Sequence, residues 1–89
     1  MAIDLFQDAI LTVDLPEHGL CAGDVGTVVE RHVVPGREPG YSVEFFDMTG
    51  QTVAVVLLPA SSLRAPGADD RPSVRKPAPK GISAHRAPL

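Results

Sequence analysis

The sequence predicts an all-β fold, a small five-stranded barrel with a disordered C-terminal tail, and three observations predict it. Residues 1–65 contain several short runs rich in branched apolar side chains, which favour strands. Segments rich in glycine and proline separate these runs and interrupt any regular helix. No stretch of ten or more residues has the 3.6-residue apolar period of an amphipathic helix. At 89 residues the chain is long enough for one domain.

Five extended segments are predicted along the body of the chain. They are residues 9–13, 24–34, 41–45, 51–58 and the end of 59–64. Gly26 indicates a bulge or a bend in the second segment, and Asp47 to Gly50 is predicted as a hairpin connection. A helical turn begins the last segment. A bent second strand, a hairpin and a helical turn before a short last strand are typical of the SH3-like barrel, with an open antiparallel sheet as the alternative.

The composition changes at Ala65. Residues 66–89 contain five prolines and few large apolar side chains, so we predict a flexible tail with polyproline character after a domain formed by residues 1–65. The domain carries nine acidic residues and three arginines, a net charge of −6, whereas the tail carries five bases and two aspartates, a net charge of +3. An acidic body repels phosphates, so nucleic acid is expected to bind only through the tail. The tail could also fold back on the acidic body.

The location is expected to be cytoplasmic. The first seven residues show neither a secretory signal nor a long apolar run, so no membrane partner is predicted. Cys21 is the single cysteine, and one thiol cannot form the disulfide framework of a small secreted domain.

Three blocks of the sequence carry a family resemblance. They are Asp14-Leu-Pro-Glu-His-Gly-Leu20, Gly23-Asp-Val-Gly-Thr-Val-Val-Glu30, and Tyr41-Ser-Val-Glu-Phe45 together with Leu58-Pro-Ala-Ser-Ser-Leu-Arg64. Over residues 8–65 the chain resembles an uncharacterised bacterial family of short stand-alone SH3-like domains. The resemblance implies the barrel fold but no activity, because that family is itself a domain of unknown function.

The second block also resembles two wider SH3-like groups. These are the translation-associated KOW motif and the small-barrel domain of nitrile hydratase β subunits. The acidic body departs from the first group, and the chain is far shorter than a nitrile hydratase subunit. The resemblance therefore implies no enzymatic role.

No catalytic, cofactor or metal site is predicted. The piece Gly23-Asp24-Val25-Gly26 fits neither common phosphate-loop pattern, and Asp24 is expected to cap backbone amides in a turn. His18-x-x-Cys21 is half of a zinc site without a second half. A cysteine–histidine nucleophile is the alternative to a loop histidine beside a packed, inert thiol.

An acidic loop is the first candidate binding feature. Asp14, Glu17 and Asp24 lie on the longest predicted loop, where they could attract a basic partner. Their spacing does not match a calcium-binding loop. A solvated acidic loop without a partner is the alternative.

An apolar strand is the second candidate binding feature. A strand with one wet face should alternate, yet residues 53–58 are all apolar, and Phe46 follows Phe45 directly. Either Ile3, Leu5 and Phe6 cover the second face, or that face binds a partner. The predicted partner-binding residues of this strand region are Phe46, Val53, Val55 and Leu57.

These observations favour a non-catalytic protein-interaction module over two alternatives. Such a module could be a small accessory subunit, an antitoxin-like neutraliser or a homo-oligomer, with another protein or a second copy as its partner. The first alternative is a nucleic-acid- or ribosome-associated accessory protein with a KOW-like barrel and a basic tail. The second is a non-catalytic subunit or activator of an enzyme such as a nitrile hydratase-type complex. With four aromatic residues and no tryptophan, recognition of proline motifs is disfavoured.

Overall fold

The fold is a single curled antiparallel sheet that forms a half-barrel, in a computed structural model that describes residues 3–77. Its strands are β1 (Asp8–Leu11), β2 (Val25–His32), β3 (Gly40–Phe46), β4 (Thr52–Pro59) and β5 (Leu63–Arg64). Their order across the sheet is β4-β3-β2-β1-β5. The last strand therefore pairs with the first, as in an SH3-like barrel, and the predicted all-β fold class is confirmed.

Two single turns of 3-10 helix complete the regular structure of the described residues. Pro16–His18 lies in the loop between β1 and β2, and Ala60–Ser62 is the turn predicted before the last strand. Proline at the start of the first turn fixes the backbone angle that the turn needs, and Gly19 ends it with a left-handed conformation at φ +70°. Within residues 3–77, no helix has the length and apolar character to cross a membrane.

The hydrophobic core lies on the concave face of the sheet. Strand β3 alternates as predicted, and its inward side chains Tyr41, Val43 and Phe45 are buried. Val28 on the neighbouring strand β2 and Leu11 on β1 are fully buried in the same core. The hydroxyl of Tyr41 accepts a hydrogen bond from the backbone N–H of Ile3 at 3.2 Å, which satisfies the one polar atom of this buried ring.

The hairpin between β3 and β4 is held by one carboxylate. Asp47 Oδ1 accepts hydrogen bonds from the backbone N–H groups of Thr49 at 2.8 Å and Gln51 at 3.0 Å, and from the Thr49 hydroxyl at 2.7 Å. Because these donors stabilise the ionised form, they lower the pKa of Asp47. Gly50 adopts the positive φ of +86° that the predicted turn requires.

Two irregularities bend the sheet. The register between β2 and β3 shifts between Val28 and Glu30, whereas Gly26, where the bulge or bend was predicted, is paired regularly with Phe45 and Ala9. A second shift lies between Phe45 and Phe46, so that Phe45 opposes Ala54 but Phe46 opposes Thr52. Val53 is the extra residue of this bulge, and an extra residue bends the strand and increases its twist.

The segment after β5 has no strand or helix in its described part, residues 66–77. It nevertheless runs against the barrel, through contacts described below. The prediction of a disordered tail also covers residues 78–89, which lie outside the described residues.

We predict that Gly26, the glycine of β2, cannot be replaced by a residue with a side chain without loss of stability. A Cβ at this position would lie 2.5 Å from Val43 Cγ1 and 2.9 Å from the backbone oxygen of Glu44. We expect Gly26→Ala to lower the free energy of unfolding by about 1–3 kcal/mol through overpacking. Urea denaturation monitored by circular dichroism measures this change.

Gly40→Ala in β3 is the matched control. A Cβ on Gly40 would meet its nearest atoms, Leu57 Cδ1 and the Leu58 oxygen, at 3.5 and 3.6 Å, which is ordinary contact. An equal loss of stability in both variants would show that close packing at Gly26 does not determine the path of β2.

Candidate interaction surface

Strand β4 presents apolar side chains on both sides of the sheet. Val56 and Leu58 point into the core and are buried. Val53, Val55 and Leu57 are 54%, 57% and 64% exposed. The side chains of the run therefore alternate between the core and the solvent, although all of them are apolar.

The N-terminal segment does not cover this second face. Ile3 is buried in the core, where it donates to Tyr41. Leu5 and Phe6 are exposed, and Phe6 donates its backbone N–H to Val28 on β2 rather than reaching β4. Of the two interpretations of the apolar run, cover by these three residues is not the arrangement in the structure.

The exposed apolar surface of β4 has a polar border. The strand register places Glu44 of β3 opposite Val55, and Ser42 opposite Leu57. One strand further, Thr27 opposes Glu44 and Glu30 opposes Ser42. Beside Val55 and Leu57, the convex face is thus polar on the next two strands. We call Val55 and Leu57 the edge patch.

The bulge separates the four predicted apolar residues into two pairs. Phe46 and Val53 line an open groove of about 910 Å³ together with Val25 and Met48, and residues 66–77 border the same groove. The edge patch does not line this groove. Val25 and Met48 were not predicted from the sequence, because one is an ordinary strand valine and the other a single apolar residue in a turn, and neither forms a recognisable pattern.

The acidic loop is organised by two of its three predicted carboxylates. Asp14 Oδ1 accepts the backbone N–H of Ala22 at 2.9 Å, and Asp24 Oδ2 accepts that of Cys21 at 2.9 Å. The expected capping role of Asp24 is thereby confirmed. Glu17 lies in the 3-10 turn and is exposed, with its side chain free of hydrogen bonds among residues 3–77. The loop brings Asp14 and Asp24 together in the connection between β1 and β2, and β3 separates β2 from the edge patch on β4.

Arg75 ties the segment after β5 to this loop. Its Nε donates to Asp24 Oδ1 at 3.0 Å, a second guanidinium nitrogen contacts Asp24 Oδ2, and the same nitrogen donates to the Gly19 oxygen at 3.2 Å. This forked pairing raises the pKa of Arg75. The tail thus contacts the acidic body through a residue whose partner, 51 positions earlier, no local sequence signal identifies.

A second forked pair lies where β5 ends. The two terminal nitrogens of Arg64 donate to Asp70 at 2.9 and 2.7 Å, and the Gly67 N–H donates to the same carboxylate at 2.6 Å. These donors hold the pKa of Asp70 far below its usual range. The pKa of Asp70 is therefore lower in the folded chain than in the unfolded chain. The pair stabilises the fold at pH values above the unfolded pKa, and this stabilisation is lost as the pH falls through the folded pKa.

Cys21 has the environment of a structural thiol. Burial, followed by the charge of Asp24, raises its pKa, and Sγ lies 3.9 Å from Asp24 Oδ1. A raised pKa reduces the thiolate fraction that a nucleophile or a metal ligand needs. Among residues 3–77, no three histidine, cysteine or acidic side chains are close enough to share a metal ion.

The comparison with protein families agrees with this architecture. Residues 5–65 match the model of a domain of unknown function, DUF4926. The chain belongs to this family. The DUF4926 match contains all five strands, ends where the composition changes, and leaves Arg75 and its segment outside the domain. No curated protein and no solved structure matches the chain.

We expect Cys21 to react slowly with iodoacetamide. Its raised pKa and partial burial both reduce the rate at pH 8 relative to the same chain unfolded in urea. Mass spectrometry follows the modification without ambiguity, because the chain has a single cysteine. A rate in the folded protein equal to or above that in urea would contradict the structural assignment of this thiol.

Proposed function

We propose that this DUF4926 protein is a non-catalytic protein-interaction module of the cytoplasm that binds through strand β4. The observation that carries the proposal is the exposure of three large apolar side chains, Val53, Val55 and Leu57, on one strand that contains no charged residue. Burying a side chain of this size on binding contributes about 1.5–3 kcal/mol. The strand therefore offers a partner more apolar contact than any other element of the sheet's outer surface.

The charges around the strand favour a partner that is apolar at its centre and neutral or basic at its margin. Glu44 borders Val55, and the domain as a whole has a net charge of −6. A partner with carboxylates directly against Glu44 would meet like charges there, whereas a basic margin would speed association. Asp14, Glu17 and Asp24 contribute to this long-range field rather than to the apolar contact.

The alternative of nucleic-acid binding through the tail finds less support in the contacts of the described residues. Arg75 is paired with Asp24, and Arg71 donates to the backbone oxygens of Ala68 and Asp70. Arg75, whose charge Asp24 already neutralises, would release few counterions from a phosphate backbone, whereas Arg71 keeps its charge because carbonyl oxygens are neutral. This pairing supports apolar contact through β4 as the main mode of binding.

The variant Val55→Thr/Leu57→Thr tests the proposal. Threonine retains the β-propensity of the strand and adds a hydroxyl to the edge patch. We expect binding of whatever partner the full chain captures, another protein or a second copy, to weaken by at least about tenfold. Quantitative pull-down from a bacterial lysate and light scattering of the purified chain measure this loss.

Val33→Thr/Val34→Thr is the matched control. These valines are 67% and 50% exposed, comparable to the edge patch, but they lie in the loop after β2. Loss of binding in both double variants to the same extent would refute a specific role for β4.

A further inference from the structure

We propose that β4 binds a second copy of the chain by antiparallel strand pairing, centred on Val56, so that two half-barrels share one continuous sheet. This inference deepens the proposed function and depends on it, since it names the partner of the same strand. Three properties of β4 carry the inference. They are the direction of its backbone groups, the positions of its two irregularities and the distribution of charge around it.

The free edge of β4 can be assigned from hydrogen bonds at two independent places in the sheet. The Ala60 N–H donates to the Pro39 oxygen at 2.9 Å, so position 60 faces β3. In an antiparallel pair this direction alternates, which turns positions 58 and 56 toward β3 and positions 57 and 55 away from it. The edge patch therefore exposes its backbone N–H and C=O groups as well as its side chains.

The middle strand of the sheet, β2, gives the same result. The backbone N–H and C=O of Val28 bind Gln7 and Phe6 on the β1 side, at 2.9 and 2.6 Å. Its register partner Val43 must then direct its own groups toward β4, where it faces Val56. Among the described residues, no hydrogen bond occupies the outward groups of Val55 or Leu57, and β4 is the last strand of the sheet.

The two ends of this free edge are irregular. Two residues beyond Leu57 lies Pro59, which has no N–H to donate. Two residues before Val55 lies Val53, which belongs to the bulge. The edge therefore offers two complete residues, with two donors and two acceptors.

One register of self-pairing uses all of these groups. When Val56 faces Val56 of the second copy, Val55 of each copy faces Leu57 of the other, and each such pair exchanges two hydrogen bonds. The same register places Pro59 of one copy opposite the Val53 bulge of the other. The residue without a donor thus meets the position at which the ladder is already interrupted, which a regular strand from another protein would not provide.

The charge distribution permits this dimer although the domain is acidic. Strand β4 carries no charge from Thr52 to Pro59. The nearest carboxylates on the convex face are the two copies of Glu44, one strand inside each edge. Across the seam their strands lie three strand spacings apart, roughly 14 Å, beyond the screening length of about 8 Å at physiological salt.

The side chains at the seam add apolar contact to the ladder. Val55 and Leu57 from both copies lie on the convex face and form one cluster of four side chains across the two-fold axis. A polar surface borders the cluster on both sides, because Glu44 and Ser42 occupy the next strand. A partner laid flat on this face would meet those polar groups, whereas a strand added at the edge meets the cluster.

The first experiment compares Leu57→Pro with Leu57→Ala in the full chain. Both remove the leucine side chain, but only proline removes the outward N–H, a group that the monomer does not use. Analytical ultracentrifugation should show the wild-type chain approaching twice its mass of 9.4 kDa as concentration rises. We expect Leu57→Pro to dimerise on the order of 30-fold more weakly than Leu57→Ala, since the symmetric dimer loses two hydrogen bonds.

The second experiment tests the register and does not require a proline variant to fold. In a Cys21→Ser background, Val55→Cys and Leu57→Cys are prepared as separate proteins. Facing residues of a hydrogen-bonded pair lie about 5.5 Å apart at Cα, a distance compatible with a disulfide. On mild oxidation the mixture should form disulfide-linked dimers, and either protein alone should form several-fold fewer.

Three outcomes overturn the inference. They are a monomer at all accessible concentrations, a dimer equally strong in the proline and alanine variants, and cross-linking of Val55→Cys alone as efficient as that of the mixture. In the first case, capture of another protein that is lost in Val55→Thr/Leu57→Thr would leave the proposed function standing without self-association. Absence of both self-association and such capture would overturn the proposed function as well.

Discussion

The rest of the structure depends on the limited interior of a five-stranded half-barrel. Tyr41, Val43 and Phe45 of β3, with Val28 of β2 and Leu11 of β1, already fill the concave face. Within residues 3–77, the fold has a single sheet and no second layer that covers the convex face of β4. An apolar residue that points outward from the sheet must then remain in water or be buried by a partner. The exposure of the edge patch follows from this constraint together with the register of β4.

The register itself is set by the hairpin and the bulge. Asp47 fixes the turn through its three hydrogen bonds, and the extra residue Val53 shifts the pairing before β4 becomes regular. A shift of one residue exchanges the two faces of a strand. The bulge therefore decides that Val56 and Leu58 enter the core and that Val55 and Leu57 stay outside. It also places Val53 beside Phe46 on the groove and separates them from the edge patch.

Sequence reasoning predicted the elements well and their long-range relations poorly, for physical reasons. Strand β3 was identifiable because Tyr41, Val43 and Phe45 alternate with polar or exposed residues, and the turn at Asp47 because its residue types require that chemistry. The inward face of β4 could not be identified, because an all-apolar run does not indicate which of its residues point into the core. The burial of Ile3 and the pairing of Arg75 with Asp24 depend on contacts across 38 and 51 residues, which local patterns do not encode.

Natural sheets protect their edges with charges, prolines, bulges or short strands, because open backbone groups invite pairing with other chains. Strand β4 has a proline and a bulge, but both lie at its ends, and no lysine or inward-pointing charge interrupts the middle. This placement shortens the part of the edge that can pair with another strand, but it does not prevent pairing.

Unlimited growth of a sheet needs two open edges, and the opposite edge, β5, has only two residues, Leu63 and Arg64. Arg64 is held by Asp70, so this second edge is short, charged and bordered by the segment that follows. One open edge and one closed edge favour a closed pair of subunits over a fibre, and the arrangement of irregularities on β4 is that of a limited interface rather than of an unprotected strand.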